Sequence, residues 1–290
     1  MDITSQHIGD YLNGRDDFEL ELFAYRNLLG NGWSSRVGGT YIDRYTKKPR
    51  QFDVRAQTKL TPHCYVSLAV ECKSLSPESP LIISRIPRPK DEAVGHDLIA
   101  RWKVPDNVFG ASVLEKMHGH VVVERCPSDG RQLYKVGDMV GKAATQIRYQ
   151  ENKKEFAASD AETYDKWSQA LASAAGLIEI ASTSTQSDQL PIVTFVMPLL
   201  LVNDKTLWVV DYDENGGRKA PEPADEALLY VAREHDFLVH LTNLTYTMSH
   251  LHVCTRTGFI NLLRDFGRDG KMFDRIFSSF ARAHTVILTG

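Results

Sequence analysis

The sequence has few cysteines, and the four present, at 64, 72, 126 and 254, never fall at CxxC spacing. That excludes a zinc knuckle and a disulfide framework, and a reducing cytoplasm is the expected compartment. Long apolar runs are missing too. The longest, over residues 191–202, is short and broken by Pro198, so no membrane span is expected. The opening MDITSQHIGDY has neither a basic region nor an apolar core, so no signal peptide is expected. A formal net charge of −3 leaves no global basic signature, and any contact with nucleic acid must rely on a local patch. There is no GxSxG and no glycine-rich nucleotide loop. Gly137-Asp138-Met139-Val140-Gly141-Lys142 is one residue short of a Walker sequence, and Ala143 follows the lysine. No repeat or low-complexity tract is visible.

What is present is an ordinary globular composition without an obvious linker, which points to one α/β domain over residues 1–290. The stretch 51–74, QFDVRAQTKLTPHCYVSLAVECKS, organises the chain. It reads as two β-strands, the first carrying Asp53 and the second ending in Glu71-Cys72-Lys73. Side chains alternate along a strand, so Glu71 and Lys73 share a face, and pairing with the first strand brings Asp53 beside them. Two carboxylates suit a hard cation such as Mg²⁺, and a neighbouring lysine can orient water or neutralise charge on a phosphate. Charges that merely cap a buried strand are the bland alternative.

Residues 16–29 read as a helix with a wide apolar stripe, capped by Asp16 or Asp17 and ended by Asn31-Gly32. Acids near a helix start usually complement its dipole. Glu21 stands apart because it falls between Leu20 and Leu22. Residues 33–44 read as a strand and 45–49 as a turn, with Arg44, Lys47, Lys48 and Arg50 around it. These form either a solvated tip or a phosphate-contacting edge.

A helix with an acid, Gly32-Trp33, a hairpin, then FDVRA and VECK in succession resembles the core of the PD-(D/E)xK nuclease superfamily, across residues 15–75. The resemblance implies a restriction-endonuclease-like mixed β-sheet flanked by helices, with extra C-terminal strands and helices here. Residue by residue, Glu21 matches the helix acid, Asp53 the strand acid, and Glu71 and Lys73 the ExK pair. Phe52 stands where a proline often precedes the strand acid. The implied cofactor is Mg²⁺ or Mn²⁺, held by Asp53, Glu71, the backbone carbonyl of Cys72, and Glu21.

Beyond the core, residues 75–89 read as an irregular strand or loop whose Arg85 and Arg88 face substrate. Residues 91–135 read as an insertion. The pairs His118/His120 and His250/His252 lack a third metal ligand. Residues 142–150 are expected to be a helix bearing Lys142, Gln146 and Tyr149, and the resemblance implies that such a Gln and Tyr touch the substrate strand. A helix over 159–180 and strands over 192–202 and 206–212 follow, joined by a turn. Residues 211–222 fit a calcium-loop pattern, but the preceding strand and Pro221 and Pro223 make them a solvated turn. Strands are expected over 227–233, 237–241 and 249–255, then helices over 258–266 and 271–283.

The expected activity is metal-dependent hydrolysis of phosphodiester bonds, in DNA before RNA, serving restriction, defence or repair. Arg50, Arg85, Arg88, Lys142, Gln146 and Tyr149 are the expected nucleic-acid contacts. No membrane partner is expected, and a homodimer is implied if both strands are cut. The alternative is a nuclease-like fold without catalysis that serves as a binding or scaffold module.

Overall fold

A computed structural model describes residues 2–12, 16–43, 46–92, 95–103, 119–126, 133–150, 153–158, 160–183, 191–239, 241–267 and 271–283. Helix α1 (Ser5–Leu12) precedes α2 (Asp17–Gly30). Asp16 caps α2 by accepting the Glu19 amide at 3.1 Å. Leu20, Ala24 and Leu28 recur every four residues and are fully buried. Strand β1 (Ser34–Val37) stops at Gly38, where φ of +62° favours glycine. The strand expected over 33–44 is therefore two, and β2 (Thr40–Ile42) pairs with β3 (Pro49–Gln51) in a separate small sheet.

Strands β4 (Val54–Thr61) and β5 (Cys64–Lys73) form the hairpin expected from residues 51–74, with Val54 opposite Val70. On β5, Val66, Leu68, Val70 and Cys72 join one core with Leu20, Ala24 and Leu28 of α2. The opposite face carries the smaller Ser67 and Ala69, then Glu71.

The chain continues through β6 (Leu81–Pro87), β7 (His96–Trp102), β8 (His120–Cys126), β9 (Met139–Gln150) and β10 (Glu155–Ala158) into the long helix α3 (Asp160–Thr183). Then come β11 (Ile192–Val202), β12 (Leu207–Asp211), β13 (Glu222–Pro223), β14 (Glu226–Val239) and β15 (Thr242–Thr255), followed by α4 (Arg256–Gly267) and α5 (Lys271–Ala283). Apart from the β2–β3 pair, the strands form one mixed sheet with its long path ordered β1-β4-β5-β11-β15-β14-β9-β6-β12-β13. Leu171, Ala174 and Ile178 of α3 pack on Ala69 and Val196. Phe259 of α4 and Phe277 of α5 pack with α2 on the other face. Helices thus flank the sheet on both sides.

Strand β11 runs parallel to β5 over its length, from Val193 opposite Cys64 to Val202 opposite Lys73. Parallel neighbours need a crossover, and α3 leads into β11 to make it. Buried on both faces, β11 is apolar almost throughout, as its sequence implied. Its Pro198 is unusual for a central strand. The edge of β11 away from β5 pairs with β7 over residues 192–194 and with β15 over 199–202, leaving 195–198 between them. The Val193 amide points to the β5 side, toward the His63 carbonyl, while the Val196 amide points away and donates to the Tyr246 hydroxyl at 3.3 Å. By alternation, residue 198 faces the same gap, where a missing N–H loses no ladder bond.

Two other expectations are corrected. Residues 142–150 lie within strand β9, not a helix, so Lys142, Gln146 and Tyr149 project from a strand. Their alanines and glutamines favour a helix locally, but pairing with β6 along nearly the full length of that strand outweighs the propensity. Residues 227–241 hold one strand, β14, interrupted by a bulge between Tyr230 and Arg233 with Ala232 at φ +42°. In the 91–135 region, the described strands β7 and β8 pair with each other, and β7 joins the main sheet on β11. His118 lies outside the described residues. No helix among the described residues is long and apolar enough to cross a membrane.

Candidate active site

Asp53 lies one step beyond the Val54–Val70 pair, and so opposite Glu71. Both side chains emerge on the α3 face, since their neighbours Val54, Val70 and Cys72 occupy the α2 face. Asp53 accepts the Cys72 amide at 2.7 Å and the Lys166 ammonium at 2.9 Å through the same Oδ2. Lys166, from the first half of α3, also approaches Asp17 at 3.7 Å. Asp17 in turn accepts the Ser74 amide at 2.6 Å, tying the start of α2 to the end of β5. Three segments, from both faces of the sheet, thus meet at the C-terminal end of β5.

Glu71 is 0 % exposed, and neither of its oxygens makes a well-formed hydrogen bond among the described residues, although the Asp53 backbone amide lies near enough to favour its charged form slightly. Burial, and then the Asp53 charge, push its carboxyl well above the usual glutamate range, against the opposing pull of Lys166. As two anions the pair could not share a hydrogen bond. With a proton on Glu71 one becomes donor to the other, and the dyad titrates as a unit. Glu21, half-buried on α2, is raised to about 7, first by burial and then by Asp53, with Lys166 opposing. Burial lowers the pKa of Lys166, but Asp53, Glu71 and Asp17 outweigh it and hold the ammonium charged. Beside Glu71, burial and the charges of Glu71 and Asp43 push the Tyr41 phenol up to about 12. Arg55 lies 4.8 Å from the centre of the Tyr41 ring and donates from Nε to Ser173 Oγ at 3.0 Å. Its guanidinium passes Gly176 of α3, where a Cβ would come within 2.8 Å of Nη2.

Asp53 and Glu71 therefore come together, and Glu21 on α2 lies near enough to feel the Asp53 charge. Lys73 stands half-buried at the end of β5, while the cation bound to Asp53 is Lys166. Lys166 was missed in the sequence. It directly precedes Trp167 in a helix whose apolar spacing dominates, and it sits 113 residues from its partner. No local pattern marks it.

The expected nucleic-acid edge is dispersed. Arg50 pairs with Asp43 at 2.8 Å, near the acids. Arg85 pairs with Asp211 at 2.7 Å. Arg88 is 1 % exposed, lies 5.5 Å from the Tyr134 ring centre and donates to the Lys135 carbonyl, so it cannot reach a strand of nucleic acid at the surface. Lys142 binds Glu92 and lies over the Tyr230 ring. Gln146 is buried and donates to Ser79 Oγ at 2.9 Å. Tyr149 is exposed against Phe156. All but Arg50 belong to β6, β9 or the turn after β6, which β11, β15 and β14 separate from β5 in the sheet order. His250 and His252 are held by Tyr134, stacked on the first at 3.8 Å and hydrogen-bonded to the second at 2.9 Å.

The donor set of the acidic centre is all oxygen, which suits Mg²⁺ or Mn²⁺. Among the described residues no three His, Cys, Asp or Glu side chains converge tightly enough to enclose a metal by themselves. The chemistry fits a cation that keeps several waters and takes ligands from a substrate as well. Glu71 makes no well-formed hydrogen bond among the described residues, and a buried acid in its charged form is costly unless something positive completes it. Comparison with protein-family models, curated proteins and solved structures finds no match to this chain.

Proposed function

We propose that the chain is a metal-dependent nuclease of the PD-(D/E)xK type, with a restriction-endonuclease-like core built from α2, β1, β4, β5, α3 and β11. One observation carries the reading: Glu71 is wholly buried opposite Asp53, within reach of the Lys166 charge, and neither of its oxygens makes a well-formed hydrogen bond among the described residues. A structural ion pair needs no such acid. Asp53, Glu71, the Cys72 carbonyl and Glu21 would hold Mg²⁺ or Mn²⁺, which supplies positive charge at a phosphate and a water of lowered pKa. Lys166 donates to Asp53 and fixes its carboxylate in place, and Lys73, on the Glu71 face of β5, lies where it can orient water or neutralise a phosphate oxygen. The substrate is nucleic acid, DNA before RNA.

The second reading, a nuclease-like module that binds without cutting, draws on the lack of a three-ligand cage among the described residues. Cleavage of plasmid and oligonucleotide substrates with Mg²⁺ or Mn²⁺ separates the two. Activity is expected, abolished by EDTA and by Asp53→Ala, and reduced by about 10²-fold in Lys73→Ala or Lys166→Ala. A folded parent that cuts nothing with either metal, or an Asp53→Ala variant as active as the parent, leaves only the binding module.

A further inference from the structure

A cleft of about 580 Å³ opens between the β2–β3 pair, the first half of α3 and the bulged middle of β14. Small-molecule sites span roughly 300–1,000 Å³, so this one is of useful size. Its walls combine three aromatic rings, Tyr164, Trp167 and Tyr230, with the polar Arg50, Gln169 and Arg233. Tyr164 and Trp167 meet edge-on at 5.1 Å and make a corner. Behind that corner a second cavity of about 200 Å³ is lined by Leu81, Leu200 and Leu251 among other apolar residues. Trp167 Nε1 is buried and finds no acceptor among the described residues. A buried indole N–H ordinarily has a partner, and its lack beside a cavity suits an acceptor on a ligand. The β14 bulge belongs to the same wall: Tyr230, Val231, Ala232 and Arg233 all line the cleft, and Ala232 holds its left-handed φ of +42° there. Bulges re-aim side chains, and strained backbone gathers at ligand sites.

The cleft adjoins the acids. Arg50, in its wall, is the cross-strand partner of Tyr41. Tyr41 feels the charges of both Glu71 and Asp43, and Asp43 lines the cleft, so the Tyr41 ring lies near both the acidic centre and the cleft wall. On α3, Lys166 reaches Asp53 while Asp165 and Trp167 on either side of it line the cleft. A strand with a phosphate at the acids therefore has a base within reach of an aromatic corner.

We propose that this cleft receives an unpaired nucleobase, so that the acidic site acts on single-stranded or locally unpaired nucleic acid. The inference rests on the nuclease reading above. A base within a duplex is stacked on both faces and paired along its edge, and it enters such a pocket only by extrusion. Each base stacked on an aromatic ring contributes roughly ten-fold or more to single-strand affinity.

The test is fluorescence anisotropy with a labelled single-stranded oligonucleotide and a duplex of equal length, in EDTA so that nothing is cut. The parent is expected to prefer the single strand. Trp167→Ala and the exposed Tyr164→Ala are each expected to lose about ten-fold on the single strand and little on the duplex, with Trp167→Phe, which keeps a stacking ring but loses the N–H, falling between the parent and Trp167→Ala. Tyr164→Ala keeps the test open if Trp167→Ala does not fold, as judged by thermal melting. Equal losses on both forms, no loss in either alanine variant, or a parent that favours duplex or binds neither overturns the cleft assignment. Selective single-strand binding by a parent that never cuts with Mg²⁺ or Mn²⁺ keeps the cleft and refutes the nuclease. Cutting that both alanine variants retain, with unchanged binding, does the reverse.

Discussion

At the scale of single residues, the acidic centre stores strain that a pH titration can read. Glu21 keeps its proton to about 7 in the folded chain, against an ordinary 4.5, and Glu71 is shifted in the same direction. The folded state therefore binds these protons more tightly than the unfolded state does. Their contribution to stability is full below about pH 4.5 and is lost as pH rises through 7 and beyond. Glu71→Gln mimics the protonated acid and can donate to Asp53. It is expected to raise the melting temperature at pH 8, by about 2–4 °C for each kcal/mol relieved, and to change it little at pH 4.5. Glu21→Gln should follow the same trend more weakly, since its side chain is only half-buried. Differential scanning calorimetry from pH 4.5 to 8 checks both. A Glu71→Gln melting temperature below the parent at pH 8 means that Glu71 is paired rather than strained. The residue types and period-two spacing of Asp53, Glu71 and Lys73 made this centre legible beforehand. Lys166 was not legible, because a lysine beside a core tryptophan carries no local sign of what it will meet.

At the scale of elements, the hairpin 51–74 and helices α2, α3, α4 and α5 follow from their apolar spacing, because each buries a face that its own pattern defines. β9 does not. Its residues have mixed preferences, and pairing with β6 decides their conformation. Arg88 follows the same rule in reverse. A basic residue in a Pro-rich stretch reads as exposed, yet the turn after β6 carries it under Tyr134, where two guanidinium nitrogens, Nε and Nη2, have no partner among the described residues. Pro198 gives the element-scale test. Its missing N–H faces the gap on β11 between the β7 and β15 pairings, so Pro198→Ala would place an N–H there with no ladder acceptor. A buried unpaired donor costs about 1–3 kcal/mol, and the variant is expected to lose that much in urea denaturation. A variant as stable as the parent would mean that the Tyr246 hydroxyl, or water, satisfies the new donor.

At the scale of the whole molecule, the site draws one group from each of α2, the residue before β4, β5 and α3. Any cation held by the carboxylates must displace their protons, so its affinity depends on pH. With Glu21 titrating near 7, Mn²⁺ measured by calorimetry is expected to bind about ten-fold more tightly at pH 8 than at pH 6. Glu21→Gln should weaken that dependence, leaving the part due to Glu71, while binding at Asp53 and Glu71 stays measurable. A pH-independent affinity in the parent would remove Glu21 from the ligand set.

By itself the sequence determined that Asp53 and Glu71 would face each other, the hairpin that presents them and the helices that bury it, because alternation and helical spacing are local and need no knowledge of neighbours. The tertiary structure alone decided which cation meets Asp53, that β9 is a strand, that Arg88 is buried and that Trp167 borders a cleft. Each of those depends on contacts between segments far apart in the chain, and β11 is the clearest case. Its two edges take neighbours from before and after it, and the crossover through α3 brings Lys166 to an aspartate 113 residues away, a distance over which no residue pattern carries information.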